Sequence, residues 1–174
     1  MRQLIYNVAM SLDGFIADAD GGYGWIVMDD RIDFDALFAR FDTLLMGRKT
    51  YEVLQAQGPG GPGANKQIIV VSRSLQPAAH PGITVIQERI ADRVATLKRV
   101  IGKDIWLFGG GELFRLLLDA GLVDRIEVAV MPVMLGQGIP VLPAGTATGR
   151  LTLLSSRTLD SGIVMLVYEP SEPS

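Results

Sequence analysis

Cysteine is absent from the 174 residues. Its absence excludes disulfides, thiolate metal sites and a cysteine nucleophile. Histidine occurs once, as His80, so zinc sites built on histidine pairs are excluded, and a Ser-His-Asp centre could run only through that residue. His80 stands in Ala-Ala-His-Pro-Gly, which reads as a solvated surface turn. An excess of basic charge is also missing. Sixteen Lys and Arg against nineteen Asp and Glu leave a formal net charge of -3, whereas a chain that grips nucleic acid through phosphates usually carries a basic excess. No apolar run approaches the roughly 18 residues that span a bilayer. The N-terminal MRQLIYNVAM lacks the longer apolar region and small-residue cleavage site of a signal peptide. The expected location is the cytoplasm, with no membrane or nucleic-acid partner and no metal.

Hydrophobic residues make up 48% of the chain and charged residues 20%, enough apolar mass for the core of one domain. That domain is expected over residues 1–170, with 171–174 frayed. Strand and helix patterns alternate along it. Leu4–Met10 predicts a strand closed by Ser-Leu-Asp-Gly, and a Gly- and Asp-rich loop follows from Asp18 to Asp30. Residues 33–41 suit a short helix with Phe34, Leu37, Phe38 and Phe41 on one stripe. Thr43–Met46 reads as a buried strand, and Gly47 opens a turn into a helix near Arg48–Gln55. Gly58-Pro-Gly-Gly-Pro-Gly63 predicts a flexible loop without regular structure.

Further strands are expected at Ile68–Ser72, Ile83–Ile86, Asp104–Phe108 and Arg125–Met134, the last interrupted by Pro132. Residues 88–101 and Glu112–Ala120 read as helices, closed by Gly102 and Gly121. Leu151–Leu159 and Ile163–Glu169 predict a terminal hairpin. The sum is an α/β fold: a central, mostly parallel sheet of about eight strands with an antiparallel C-terminal edge, and about four flanking helices.

Ligands of open α/β sheets bind at the C-terminal ends of strands. Two strand ends here are Gly-to-helix junctions, Gly47-Arg48-Lys49-Thr50 and Gly109-Gly110-Gly111-Glu112. The unpaired N–H groups of a helix start suit phosphate. Arg48, Lys49 and Arg73, the last in Ser72-Arg73-Ser74, add positive charge in an acidic chain. Together they suggest a ligand with more than one phosphate group. Neither G-x-G-x-x-G nor a Walker A loop is present. Asp13 reads as a local turn former. Asp30 and Asp33 lie near a helix start, where a carboxylate also caps; one of them facing a cleft could donate a proton or anchor a substrate.

Five segments occur in order: Val8-Ala9-Met10-Ser11-Leu12-Asp13-Gly14-Phe15-Ile16-Ala17, Met46-Gly47-Arg48-Lys49-Thr50-Tyr51-Glu52, Val71-Ser72-Arg73, Phe108-Gly109-Gly110-Gly111-Glu112-Leu113, and Met131 through Pro140. This succession resembles the dihydrofolate reductase-like superfamily, in the branch that includes the reductase domain of riboflavin biosynthesis. The resemblance implies a single dihydrofolate-reductase-like domain and NADPH as cofactor. It implies that the backbone at Ala9 and Ile16 holds the nicotinamide carboxamide, and that Gly47, Arg48, Lys49 and Thr50 bind the pyrophosphate and the adenosine 2′-phosphate. Ser72 and Arg73 match the strand end beside that phosphate. Gly109, Gly110, Gly111, Glu112 and Leu113 match the turn under the nicotinamide, with a cis bond between Gly109 and Gly110.

Trp25 matches the tryptophan of a loop over the active site, and Phe15, Tyr23 and Trp25 are the expected aromatic wall for a flat substrate. Phe34 reads as core. Val128 stands where the folate-reducing enzymes carry a threonine, which argues against a pteridine held in their way. The expected reaction is hydride transfer to a small, heterocyclic substrate, with Asp30 or Asp33, or a water held by one of them, supplying the proton. Alternatives are the pyrimidine reductase of riboflavin biosynthesis, with a 5-amino-6-ribosylaminouracil type of substrate, and a non-catalytic NADPH-binding protein. A homodimer is expected through Ile126–Met134 and the terminal hairpin, whose apolar residues include Val128, Val130, Met131, Val164, Leu166 and Val167.

Overall fold

The alternation of side chains along Leu4–Ser11 sets the architecture. Successive residues of a strand point to opposite faces. Leu4 and Tyr6 enter one apolar cluster, while Ile5 between them enters another. A strand apolar on both faces needs helices on both sides. The computed structural model describes residues 1–58, 60–146 and 149–171, and the expectation for 172–174 lies outside them.

Eight strands form one sheet, β1 (Leu4–Ser11), β3 (Phe41–Gly47), β4 (Gln67–Val71), β5 (Ile83–Ile86), β6 (Asp104–Gly109), β7 (Arg125–Met131), β9 (Leu151–Thr158) and β10 (Val164–Pro170), in the order β5-β4-β3-β6-β1-β7-β10-β9. The first six strands of that order pair in parallel, and β10 and β9 are antiparallel. Four helices flank it: α1 (Phe34–Ala39), α2 (Arg48–Ala56), α3 (Ile90–Arg99) and α4 (Gly111–Asp119). Val94 of α3 and Leu113, Phe114 and Leu117 of α4 cover the Leu4/Tyr6 face. Tyr51 and Leu54 of α2, with Leu37 and Phe38 of α1, cover the Ile5 face. None of the described helices is long and apolar enough to cross a membrane.

Several expectations change. The helix expected at 88–101 is shorter, because Arg89 has φ 51° and Val100 is extended; Gly102 therefore lies beyond the helix end and does not close it. Pro132 stops β7 at Met131, since proline has no N–H for the ladder. Two short strands, β2 (Phe15–Ala17) and β8 (Ile139–Pro140), pair with each other. Gly138 makes that pairing possible: a Cβ there would stand 2.2 Å from Ala17 O. The glycine-rich loop contains a 3₁₀ turn at Gly61–Gly63. Ser171 N–H donates to Arg150 O at 3.0 Å. His80 is half-buried, its ring edge-on to Tyr51 at 5.6 Å. β7 is paired on both sides, and Val128 and Met131, which the sequence offers to a dimer, are buried within the chain. Leu151, Leu153 and Leu154 of β9 are exposed.

Candidate functional site

The chain leaves β3 through α2 towards β4, and leaves β6 through α4 towards β7, on opposite faces. The strand order therefore reverses between β3 and β6, where open α/β sheets form a crevice. Met46 pairs with Gly109 across it. Gly47 and Gly110 are the residues before α2 and α4, and neither helix start receives a side-chain cap. A Cβ built on Gly47 would stand 4.0 Å from Gly110 N. Two uncapped helix starts thus face one narrow gap, with N–H donors and partial positive charge from both sides. The peptide between Gly109 and Gly110 is cis, as the resemblance implies. Thr50 closes the gap from α2, its Oγ1 lying 3.3 Å from the position of a Cβ on Gly109.

The charged residues of this edge are less uniform than the sequence suggests. Arg48 is committed to Glu52 one turn on, at 2.6 Å, and Glu112 pairs with Arg115 at 3.3 Å. Lys49 and Arg73 are exposed, and among the described residues neither forms an ion pair. Ser72 Oγ accepts from the N–H groups of Ser74 and Leu75, which bends the chain after β4. Leu113 of α4 is buried against the sheet.

Beside the crevice, on the Ile5 face, lies a cavity of about 660 Å³. Its floor follows from register. Asn7 and Ala9 of β1 pair with Glu127 and Ala129 of β7, which pair with Val167 and Met165 of β10; Met165 pairs with Arg157 of β9. All of these line the cavity, and so does Ile16. Phe108, the residue before Gly109, joins cavity to crevice. Phe34, Leu37 and Phe38 of α1 form the facing wall, and Phe38 packs on Trp106 of β6 with ring centroids 5.8 Å apart. Phe34 is thus not a core residue: it is 37% exposed and borders the cavity.

The other expected site residues are distributed differently. Asp33 caps α1, its Oδ1 accepting from Ala36 N at 2.8 Å, and sits at the cavity edge. Asp30 is exposed and outside the lining. Its neighbour Asp29 is buried, and hydrogen bonds from Arg31 hold its carboxyl well below the usual range. Phe15, Tyr23 and Trp25 also lie outside the lining. Phe15 is drawn into the β2–β8 pair. Tyr23 is exposed and accepts from Gln57 Nε2 at 3.1 Å. Trp25 packs with Met131, Leu159 and Ile163, its indole N–H on Gly22 O at 3.2 Å. The cavity's aromatics come instead from α1 and β6.

Asp13 does more than turn its own loop. Its carboxylate accepts from Ser11 Oγ at 2.7 Å and from Gly136 N at 2.7 Å, fastening the β1–β2 turn to the segment after β7. The bond from Ser11, then that from Gly136, lowers its pKa to about 2.

Two residues escaped the sequence reading. Glu127 is buried on the cavity floor, accepting from Arg40 Nη2 at 2.6 Å, Arg40 Nη1 at 2.8 Å and Asn7 Nδ2 at 2.8 Å. Burial pushes its carboxyl up, but Arg40 and Asn7 outweigh this and hold it below its ordinary value. The available signal was a lone carboxylate in Arg-Ile-Glu-Val-Ala-Val-Met, beside a lone amide in Leu-Ile-Tyr-Asn-Val-Ala-Met. No cluster of three acidic or histidine side chains suited to a metal occurs among the described residues.

The family described as RibD C-terminal domain matches residues 2–165. The Bacillus subtilis (strain 168) protein YyaP is 33% identical over 178 aligned positions, covering 96% of this chain and 94% of its own. The Enterococcus faecalis dihydrofolate reductase crystallised with NADP(H) superposes with a TM-score of 0.71 at 16% identity, covering 98% of this chain and 97% of that one. The Thermotoga maritima diaminohydroxyphosphoribosylaminopyrimidine deaminase/5-amino-6-(5-phosphoribosylamino)uracil reductase gives a TM-score of 0.71 at 18% identity, covering 98% of this chain and 57% of that longer one. With the dihydrofolate-reductase-like sheet, the paired glycine junctions and the family match in place, the chain belongs to the RibD C-terminal domain family.

Proposed function

We propose that the chain is an NADPH-dependent reductase that delivers a hydride to a small, flat heterocycle held in the cavity. The observation that carries this reading is the convergence of two uncapped, glycine-led helix starts on one gap beside an apolar cavity. The gap fits a pyrophosphate: its donors point inward and glycine leaves the backbone open. When bound there, NADPH supplies the hydride. The chain's own residues do the rest. Gly47, Arg48, Lys49 and Thr50 with Gly109, Gly110, Gly111, Glu112 and Leu113 hold the phosphates, Ser72 and Arg73 take the 2′-phosphate, and the backbone at Ala9 and Ile16 orients the ring. Asp33 at the cavity edge, or a water on it, is the nearer of the two expected carboxylates for the proton.

Titration with NADPH and NADH, followed by nicotinamide fluorescence, tests this. Arg73→Ala should weaken NADPH about tenfold, the value of one charge-assisted bond, and leave NADH unchanged. Arg48→Ala should cost less, because Arg48 is shared with Glu52. Equal losses for both cofactors would show that neither residue reads the 2′-phosphate. The narrower reading, a pyrimidine reductase of riboflavin-biosynthesis type acting on a 5-amino-6-ribosylaminouracil compound, is favoured by Arg157. This cation lines the cavity without an ion-pair partner among the described residues, which suits the phosphorylated form of such a compound. NADPH binding without turnover on pyrimidines would favour the non-catalytic alternative. The exposed leucines of β9 support a homodimer, which sedimentation equilibrium tests.

A further inference from the structure

Resting on the reading of the cavity as the substrate site, we propose that Glu127, oriented by Arg40 and Asn7, is its specificity-determining residue and accepts an N–H donor from the edge of a flat ring. A carboxylate in an apolar strand is costly unless every charge and lone pair finds a partner. The Glu127 side chain is 10% exposed and that of Arg40 38%. An ionised carboxylate offers about four acceptor sites. Three are taken, one on Oε1 by Arg40 and two on Oε2 by Arg40 and Asn7. One site on Oε1 remains. The carboxylate accepts only, so the Asn7 amide must turn its NH2 to Glu127 and its oxygen elsewhere. That oxygen has no hydrogen-bond partner among the described residues. Two acceptors are therefore left over on two residues of the cavity floor.

A structural strut is the competing account. α1 buries none of its residues, and the Arg40–Glu127 pair ties its C-terminal end to β7. A strut accounts for the ion pair, but not for an amide with a spare acceptor beside a carboxylate with another. The rest of the cavity offers a planar body an aromatic surface: Phe34, Phe38, Trp106 and Phe108 follow one another with ring centroids 5.9, 5.8 and 5.1 Å apart. A flat ring lying against that surface would have an edge free for Asn7 and Glu127, which line the same cavity.

Benzimidazole and benzoxazole are isosteric flat rings that differ in one N–H, so they separate the two accounts. Their dissociation constants are measured by ligand-observed NMR, without cofactor, for the wild type and for Glu127→Gln. Wild type should prefer benzimidazole about tenfold, the value of a hydrogen bond to a charged group. In Glu127→Gln the preference should fall to about twofold, with thermal melting used to establish that the variant folds. If that variant does not fold, Asn7→Ala replaces it, with an expected threefold loss of preference, about half the wild-type discrimination. Both rings weakened by one factor, or a preference unchanged in a folded variant, would overturn the proposal. So would a wild type that shows no preference or binds neither ring. A chain that fails to bind NADPH but keeps the Glu127-dependent preference would remove the reductase reading and leave this one standing.

Discussion

Gly47→Ala separates what the crevice does for the fold from what it does for a ligand. Gly47 has φ -80° and ψ 166°, a conformation alanine adopts without strain. The new Cβ meets nothing closer than Gly110 N at 4.0 Å. Two small terms oppose each other. Replacing glycine by alanine at a compatible site stabilises by about 0.4–1 kcal/mol through the unfolded chain. Alanine is a poorer residue than glycine before a helix, a cost of about 0.5–1 kcal/mol. The net is near zero, and the melting temperature should move by no more than about 3 °C. Ligand binding should behave otherwise. An anion oxygen accepting from Gly110 N lies about 2.9 Å from it, inside the same 4.0 Å gap that the methyl group fills. Loss of one charge-assisted bond amounts to about 1.5–3 kcal/mol, or roughly a 10- to 150-fold rise in the NADPH dissociation constant. Differential scanning fluorimetry and NADPH fluorescence titration read the two quantities. A variant that melts like wild type and binds NADPH equally well would show that the gap is not the phosphate site.

Asp13 should impose an acid limit on stability. Its pKa is lowered to about 2, first by Ser11 and then by Gly136, so its contribution is complete above the ordinary carboxylate value near 4 and is lost as pH falls from there towards about 2. Melting curves should show wild type losing more stability than Asp13→Asn over that interval; parallel curves would refute the clamp. Gly138→Ala should destabilise by roughly 1–3 kcal/mol, because its Cβ would lie 2.2 Å from a backbone oxygen at φ 156°; urea unfolding measures it. Leu107→Ala, at a fully buried position shared by α4 and the sheet, should cost about 2.7–5 kcal/mol in the same assay and leave the benzimidazole preference unchanged.

Eight main strands and four helices were legible because each carries its own period. Ile83–Ile86 keeps the bounds its β-branched run suggests, and Asp33 caps α1 where a carboxylate before an apolar stripe should. The glycine junctions were legible too, because their chemistry is local: glycine and a helix start occupy consecutive positions. The short strands β2 and β8 were not, since three and two residues carry no period.

The substrate side of the site shows where local reading ends. Residues 15–30 hold three aromatics close together in sequence, and they read as one wall. In the folded chain Phe15 pairs with β8, Tyr23 meets α2, and Trp25 packs beside Met131. The wall is instead made by α1 and β6, which are some seventy residues apart in sequence. Glu127 and Asn7 are separated by 120 residues and become neighbours only through the parallel register of β1 and β7. The alternating elements, the two-faced sheet and the phosphate-type junctions follow from local sequence, because periodicity and glycine act over a few residues. Which carboxylate lies in the cavity follows from the folded chain alone, because it depends on strand order and register across the sheet, which no local pattern encodes.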